Sequence, residues 1–311
     1  MTMMQKAVTP QLSAAYLDSG YDRVAGFVVR ADSVEWARTP ADLFEAHGLG
    51  FPGSPFAPDS EHVDVLRFHG ASPLRFENAT GGVDQATREL TGGPFVDRPP
   101  FQGTGWVRAS HPIPLYWLVH SRIPAGSELV RISADGSSQV IARYVDVGHA
   151  WASDVVAVTP SAIPTISRFV GPMAKWHETY LNADVLGDDV VVVSEIEPPA
   201  QFGFARTTGG RWRRVVPRSE VTEMFELYVS ARWNGLEMRV VDQWKEPSGE
   251  SSSRVSYTGH NADLAEGLRL QKIDAAVYEV SVPTANLVDV VTTQLIPTAW
   301  TTPGSESVAA Q

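Results

Sequence analysis

Ala174-Lys175-Trp176 and Ala231-Arg232-Trp233 stand 57 positions apart. Further on, Arg211-Trp212-Arg213-Arg214-Val215-Val216-Pro217-Arg218-Ser219-Glu220-Val221-Thr222-Glu223-Met224 lines up with Val277-Tyr278-Glu279-Val280-Ser281-Val282-Pro283-Thr284-Ala285-Asn286-Leu287-Val288-Asp289-Val290 at an offset of 66. Residues 168–290 therefore read as one segment written twice, the second copy carrying nine extra residues between its ends. Internal repetition is read before secondary structure, because a missed repeat miscalls the fold. Each copy reads as a tryptophan-bearing strand, one or two further strands, and a terminal strand running into a proline and a short amphipathic helix. The middle strand of the first is the valine run 189–194; that of the second is 254–257, followed by a helix over 261–268 that accounts for the insertion. Two roles are open for Trp176 and Trp233: each ring anchors the core of its own module, or the two form an aromatic binding face.

The repeat sets the domain reading. The expected fold class is α+β: an N-terminal domain over 1–164, two related β-rich modules over 165–224 and 225–300, and a small, polar tail over 301–311 that frays. The boundary falls in the linker-like run Thr159-Pro160-Ser161-Ala162-Ile163-Pro164. In the first domain, short helices are predicted over 8–17, 39–48 and 84–90. The second of these has the fullest signature: Thr39 as N-cap, Pro40 at the first helical position, Asp42 in the first turn and Gly48 past the end. Strands are predicted over 24–30, 63–68, 115–121, 128–133, 139–145 and 155–158. Asp135-Gly136 suits a tight hairpin turn. No element is assigned to the first seven residues.

Composition narrows the function. With 311 residues, 43% of them apolar and 20% charged, the chain can bury sizeable cores. It has no cysteine, which removes disulfides, thiolate metal sites and a thiol nucleophile. The amino terminus lacks a basic-then-apolar leader, and no apolar run approaches the roughly 18 residues of a spanning helix. A soluble cytoplasmic protein is expected. The formal charge of −11 argues against nucleic acid and anionic membrane as partners.

No GxGxxG, Walker, HExxH or GxSxG pattern is present. His62 and Asp64 would share one face of a strand, but His69 falls on the other, which leaves a partly exposed edge strand as the alternative to a metal site. The proline- and glycine-rich stretch 94–106 is long enough for a functional loop. Phe95, Phe101 and Trp106 offer aromatic area to a protein partner, Arg98 and Gln102 could fix register, and Gly103 and Gly105 let backbone approach closely. The other reading is that these aromatics fold inward as a lid.

Arg30-Ala31-Asp32 after a β-rich run resembles the start of ADP-ribosyltransferase domains. That resemblance implies NAD as cofactor, Arg30 holding its phosphates, and Glu195 or Glu197 of Glu195-Ile196-Glu197 steadying an oxocarbenium-like transition state. The family's aromatic-Ser-Thr-Ser strand is not found; Trp106-Val107-Arg108-Ala109-Ser110 departs from it at two positions. Over residues 110–290 the tryptophan-led tandem resembles actinobacterial proteins encoded beside secreted toxins, including the immunity factor of the tuberculosis necrotizing toxin. This implies a non-enzymatic antitoxin whose partner is a toxin domain, and it ranks ahead of the NAD-using enzyme.

Overall fold

The structure is a computed structural model that describes residues 2–71, 73–158 and 165–300. It is β-rich, with two large antiparallel sheets. The first comprises β1 (Met3–Val8), β2 (Arg23–Arg30), β3 (His62–His69), β4 (Phe76–Asn78), β9 (Tyr116–Arg122), β10 (Ser127–Ser133), β11 (Ser138–Asp146) and β12 (Ala150–Ala152), in the order β12-β11-β10-β3-β1-β2-β9-β4. Between β4 and β9 lie two short ribbons. One pairs β5 (Gly81–Gly82) with β6 (Phe95–Val96), the other β7 (Trp106–Arg108) with β8 (Pro112–Pro114).

Successive side chains of a strand point to opposite faces, and here both faces are covered. Val63 and Val65 of β3 join the cluster containing Leu43 and Ala46 of α2 (Pro40–Ala46), while Leu66 and Phe68 join the cluster containing Tyr16 of α1 (Pro10–Ser19). The predicted Thr39 cap is in place, and a further helix of this half is capped as well. Thr39 and Asp42 form a reciprocal capping box at α2, and Asp84 caps α3 (Gln85–Thr91), which ends at left-handed Gly92.

Two readings of this half are corrected. Residues 155–158 form no strand, because Ser153 Oγ accepts the Val155 and Val156 amides, both at 3.0 Å, and turns the chain. Met3–Val8, unassigned but for Val8 at the start of the expected helix 8–17, is a central strand. Its polar middle is buried and satisfied from afar: Gln5 by His47 (3.1 Å) and Arg67 (2.9 Å), Lys6 by Asp274 (2.7 Å). The expected linker 159–164 and tail 301–311 lie outside the described residues.

The second sheet is eleven-stranded. On one side of its middle are β13 (Pro172–Trp176), β14 (Thr179–Leu186), β15 (Asp189–Ser194), β16 (Ala205–Arg206) and β17 (Trp212–Pro217). On the other are β18 (Glu223–Trp233), β19 (Leu236–Lys245), β20 (Ser251–Tyr257), β21 (Gln271–Asp274) and β22 (Val277–Pro283), with α4 (Ala262–Gly267) between β20 and β21. Outward from the β13–β18 junction the orders are β13-β14-β15-β17-β16 and β18-β19-β20-β22-β21. Among the described residues β23 (Val288–Leu295) pairs with β18 alone.

The expected amphipathic helices after Pro217 and Pro283 are absent. Each proline is followed by a single 3-10 turn, Arg218–Glu220 or Thr284–Asn286, and then by a strand. The apolar spacing that suggested a helix is overridden by long-range pairing, of β18 with β13 and of β23 with β18.

Between the two sheets, apolar packing of Ala276 and Val277 into the first sheet's core is joined by buried arginines. Arg122, buried on β9, donates to the carbonyls of Ser167, Val170 and Ala183 at 3.3, 2.9 and 3.1 Å. Arg239 on β19 donates to the His120 and Phe169 carbonyls and pairs with Glu226 at 2.6 Å, and Arg23 on β2 donates to the Val241 carbonyl at 2.8 Å. A guanidinium carries five donors and stays charged, so one side chain can satisfy several carbonyls that the seam would otherwise bury unpaired.

Candidate functional site

The stretch 94–106 folds inward over the first sheet. Phe95 and Phe101 are core residues: Phe95 lies 5.4 Å from the Trp117 ring and 4.1 Å from His260, and Phe101 stacks on Phe27 at 5.4 Å. Arg98 is clamped across to α4 by Asp263 (2.6 Å) and Glu266 (2.9 Å). Gly103 is buried at φ +71°, and a Cβ there would overlap the Gly81 backbone; Gly105, at φ +77°, has Thr80 Cγ2 3.3 Å from where its Cβ would be. Both positions exclude an ordinary side chain. The inward, lid-like reading describes these residues, and of the stretch only its rim is open. Gln102 is exposed, and Trp106 is 48% exposed while held on the β7–β8 ribbon opposite Pro114.

Beneath Trp106 is a cavity of about 40 Å³ lined by Lys6, Asp274, His47, Asp97, Phe27 and Phe101 among others. The Lys6–Asp274 pair is fully inside. Burial, helped by the Lys6 charge, pulls His47 down to about 3, so the ring is neutral, and burial pushes Asp97 up. A second cavity of about 50 Å³ lies at the seam, lined by His120, His260, Glu77 and Arg239, with His260 Nε2 3.1 Å from Glu77. Each has room for a water or two, well below the several hundred Å³ of a cofactor pocket. A larger groove of about 510 Å³ runs openly between Phe51, Pro52, Pro55 and the edge strand β21, with Lys272 in its lining over the Phe51 ring at 5.3 Å and 3.9 Å from Glu266.

Arg30, Glu195 and Glu197 line none of these cavities. Arg30 is at the exposed end of β2 and pairs with Asp32 at 2.5 Å. Glu195, exposed, accepts the Ile166 amide at 2.9 Å, and Glu197 is exposed after β15. The three are given different neighbours, and no shared cleft gathers them for NAD. Asp64 is likewise occupied: Arg131 contacts both its oxygens (2.8 and 3.0 Å) and Ser13 donates to it at 2.6 Å, while His62 and His69 face solvent. Among the described residues no three His, Asp or Glu side chains assemble as a metal site, and no helix is long and apolar enough to cross a membrane.

β23 is the feature that sequence reasoning missed. All of its residues to Gln294 are exposed, and Val288, Val290 and Val291, with Ile296 just beyond, are each between 54% and 56% exposed. β18 occupies one edge; among the described residues the other edge has no strand. Asp289, at φ 50°, and Val290 together oppose Ala231 as a bulge, which offsets the register from Ser230↔Val291 to Arg232↔Val288. The signal was present as a valine- and threonine-rich run, but it was read as helix.

No protein-family model matches the chain, and no curated protein or solved structure matches it.

Proposed function

We propose that this chain acts by binding another protein rather than by catalysis, and that Trp106 is the anchor of the contact. The reading is carried by one observation: a large ring stands half out of a lid whose other aromatics are locked in the core. A rigid, partly exposed tryptophan loses little freedom on binding and supplies much apolar area, the usual character of an interface hot spot. Gln102 of the same stretch is exposed, while Arg98 is already engaged by α4. The resemblance to immunity factors makes a toxin domain the partner class and the cytoplasm the compartment, which suits a cysteine-free chain.

Titration of the chain against such a toxin domain tests this. Trp106→Ala should weaken binding by about 2 kcal/mol, roughly thirtyfold, with a Tm within about 2 °C of the parent. NAD hydrolysis by the purified chain, lost in Glu197→Gln, would overturn the reading.

The finer architecture belongs to the same proposal: residues 172–224 and 229–290 are two copies of one module. Support comes from register. Trp176↔Thr179 and Trp233↔Leu236 close matching hairpins, each turning through two positive-φ residues, His177-Glu178 and Asn234-Gly235. Asp189↔Pro217 is matched by Ser252↔Pro283, and the apolar clusters use Ala174, Trp176 and Val216 on one side, Ala231, Trp233 and Val282 on the other. Strand-for-strand superposition of experimental coordinates would check it, and unequal paths would refute it.

A further inference from the structure

We propose that the open edge of β23 is a self-association surface, at which a second copy of this chain adds its own β23 antiparallel and joins the two eleven-stranded sheets across a two-fold axis.

An edge strand that is apolar, lacks proline and glycine, and carries few charges is a template for pairing, and proteins that remain monomeric usually blunt such edges with lysine, proline or a covering element. β23 is Val288-Asp289-Val290-Val291-Thr292-Thr293-Gln294-Leu295, with one charge and neither lysine nor proline; its one irregularity is the Asp289-Val290 bulge, and among the described residues no strand covers its open edge. Its free main-chain edge continues a sheet already formed, so a new strand would extend existing pairing. β18 follows the corresponding 3-10 turn and has strands on both of its edges: Glu226 stands between Pro172 of β13 and Leu295 of β23, and Val229 between Val240 of β19 and Thr292 of β23. The described residues supply β23 with a strand on one edge only.

The sequence of β23 suits its own copy. A two-fold axis through an antiparallel pair requires one residue to stand opposite itself, and the middle of the strand is Val291–Thr292. With Val291 at the axis, Asp289 faces Thr293 of the copy and Val290 faces Thr292. With Thr292 at the axis, Asp289 faces Leu295 and Val288 faces Ile296. In either register the only charge of the strand never meets itself, so the like-charge penalty of cross-strand pairs is avoided although the chain carries −11 overall. Two eight-residue strands bury less than the roughly 1,600 Å² of a standard interface, the size class of weak association, which a concentration series reveals.

The absence of cysteine makes the test direct. A lone thiol from Thr292→Cys lies at or next to the axis and should form an intermolecular disulfide readily with oxidised glutathione at tens of micromolar protein. Ser248→Cys, exposed in the β19–β20 turn, should not. Sedimentation of the unmodified chain should show the mass rising from 33.8 kDa toward twice that value between about 1 and 500 μM. The pair Val290→Lys and Val291→Lys should weaken association at least about tenfold with an unchanged Tm. A mass that stays monomeric throughout, or equal cross-linking from both thiols, would overturn the proposal. So would an edge covered by residues 301–311 or filled only by a different protein, because both leave the chain monomeric. Should the lysine variant fail to fold, the cross-link and the sedimentation of the parent still decide.

Discussion

Val221 and Leu287 close equivalent 3-10 turns, their amides bonding to Arg218 and Thr284 at 3.2 and 3.1 Å, and both are buried. Three and four residues later the two strands part: Met224 and Phe225 of β18 are 3% and 5% exposed, whereas their counterparts Val290 and Val291 of β23 are more than half exposed. Met224 shares a cluster with Trp176 and Trp300, the latter held by a hydrogen bond from Arg218 to its carbonyl, and Phe225 meets the Tyr180 ring at 5.5 Å. The local patterns are similarly apolar. What differs is the material laid over them, so burial at these positions is conferred by distant chain and not by the strand's own sequence.

The sharpest break in that comparison comes at Glu226 and its counterpart Thr292. Glu226→Ala strands the buried Arg239 guanidinium and should cost about 3–5 kcal/mol in a urea titration, while Thr292→Ala should stay within about 0.5 kcal/mol. Comparable losses would mean that β23 is as packed as β18. Next comes the apolar pair. Met224→Ala should cost about 2–5 kcal/mol and Val290→Ala within about 0.5 kcal/mol, since only the first opens a cavity.

The third contrast changes a slope rather than a midpoint. Asp184 of β14 is matched by Val241 of β19, and both are buried. Burial pushes the Asp184 carboxyl up to about 7, although Arg122 and the Val147 amide pull the other way and Asp146 adds to the rise. Between its ordinary value near 4 and about 7, the folded chain keeps a proton that the unfolded chain has released, so this group makes stability fall as pH rises through that window. Urea titrations at several pH values should show that slope flattened in Asp184→Asn. An unchanged slope would assign it to other groups.

The legible parts of this chain were those whose causes are local. Thr39, Pro40 and Asp42 announced α2 because a cap acts within one turn, and Asp135-Gly136 marked the β10–β11 hairpin for the same reason. Strand β1 was hidden because Gln5 and Lys6 are satisfied by His47 and Asp274, some 42 and 268 positions away. Phe95 and Phe101 stood in a run of prolines and glycines that resembles an exposed loop. Only the arrival of Phe27, Trp117 and His260 from three other segments makes them core. At the candidate site, Trp106 and Gln102 were named in advance. The open β23 was not, because Val288, Val290 and Val291 fit a helical spacing as well as a strand until pairing is known.

The arginines of the seam have a further consequence for how this protein tolerates change. Arg23, Arg122 and Arg239 address mainly main-chain carbonyls, at Val241, Ser167, Val170, Ala183, His120 and Phe169. Every amino acid brings a carbonyl, so these bonds fix no side-chain chemistry at the acceptor positions, while each donor position is bound to one chemistry. In a saturation library the seam should therefore look lopsided: the arginine sites intolerant even of lysine, and buried acceptor sites such as Val170 and Val241 open to other apolar residues of similar size. A map of permitted substitutions would trace the junction from one side only.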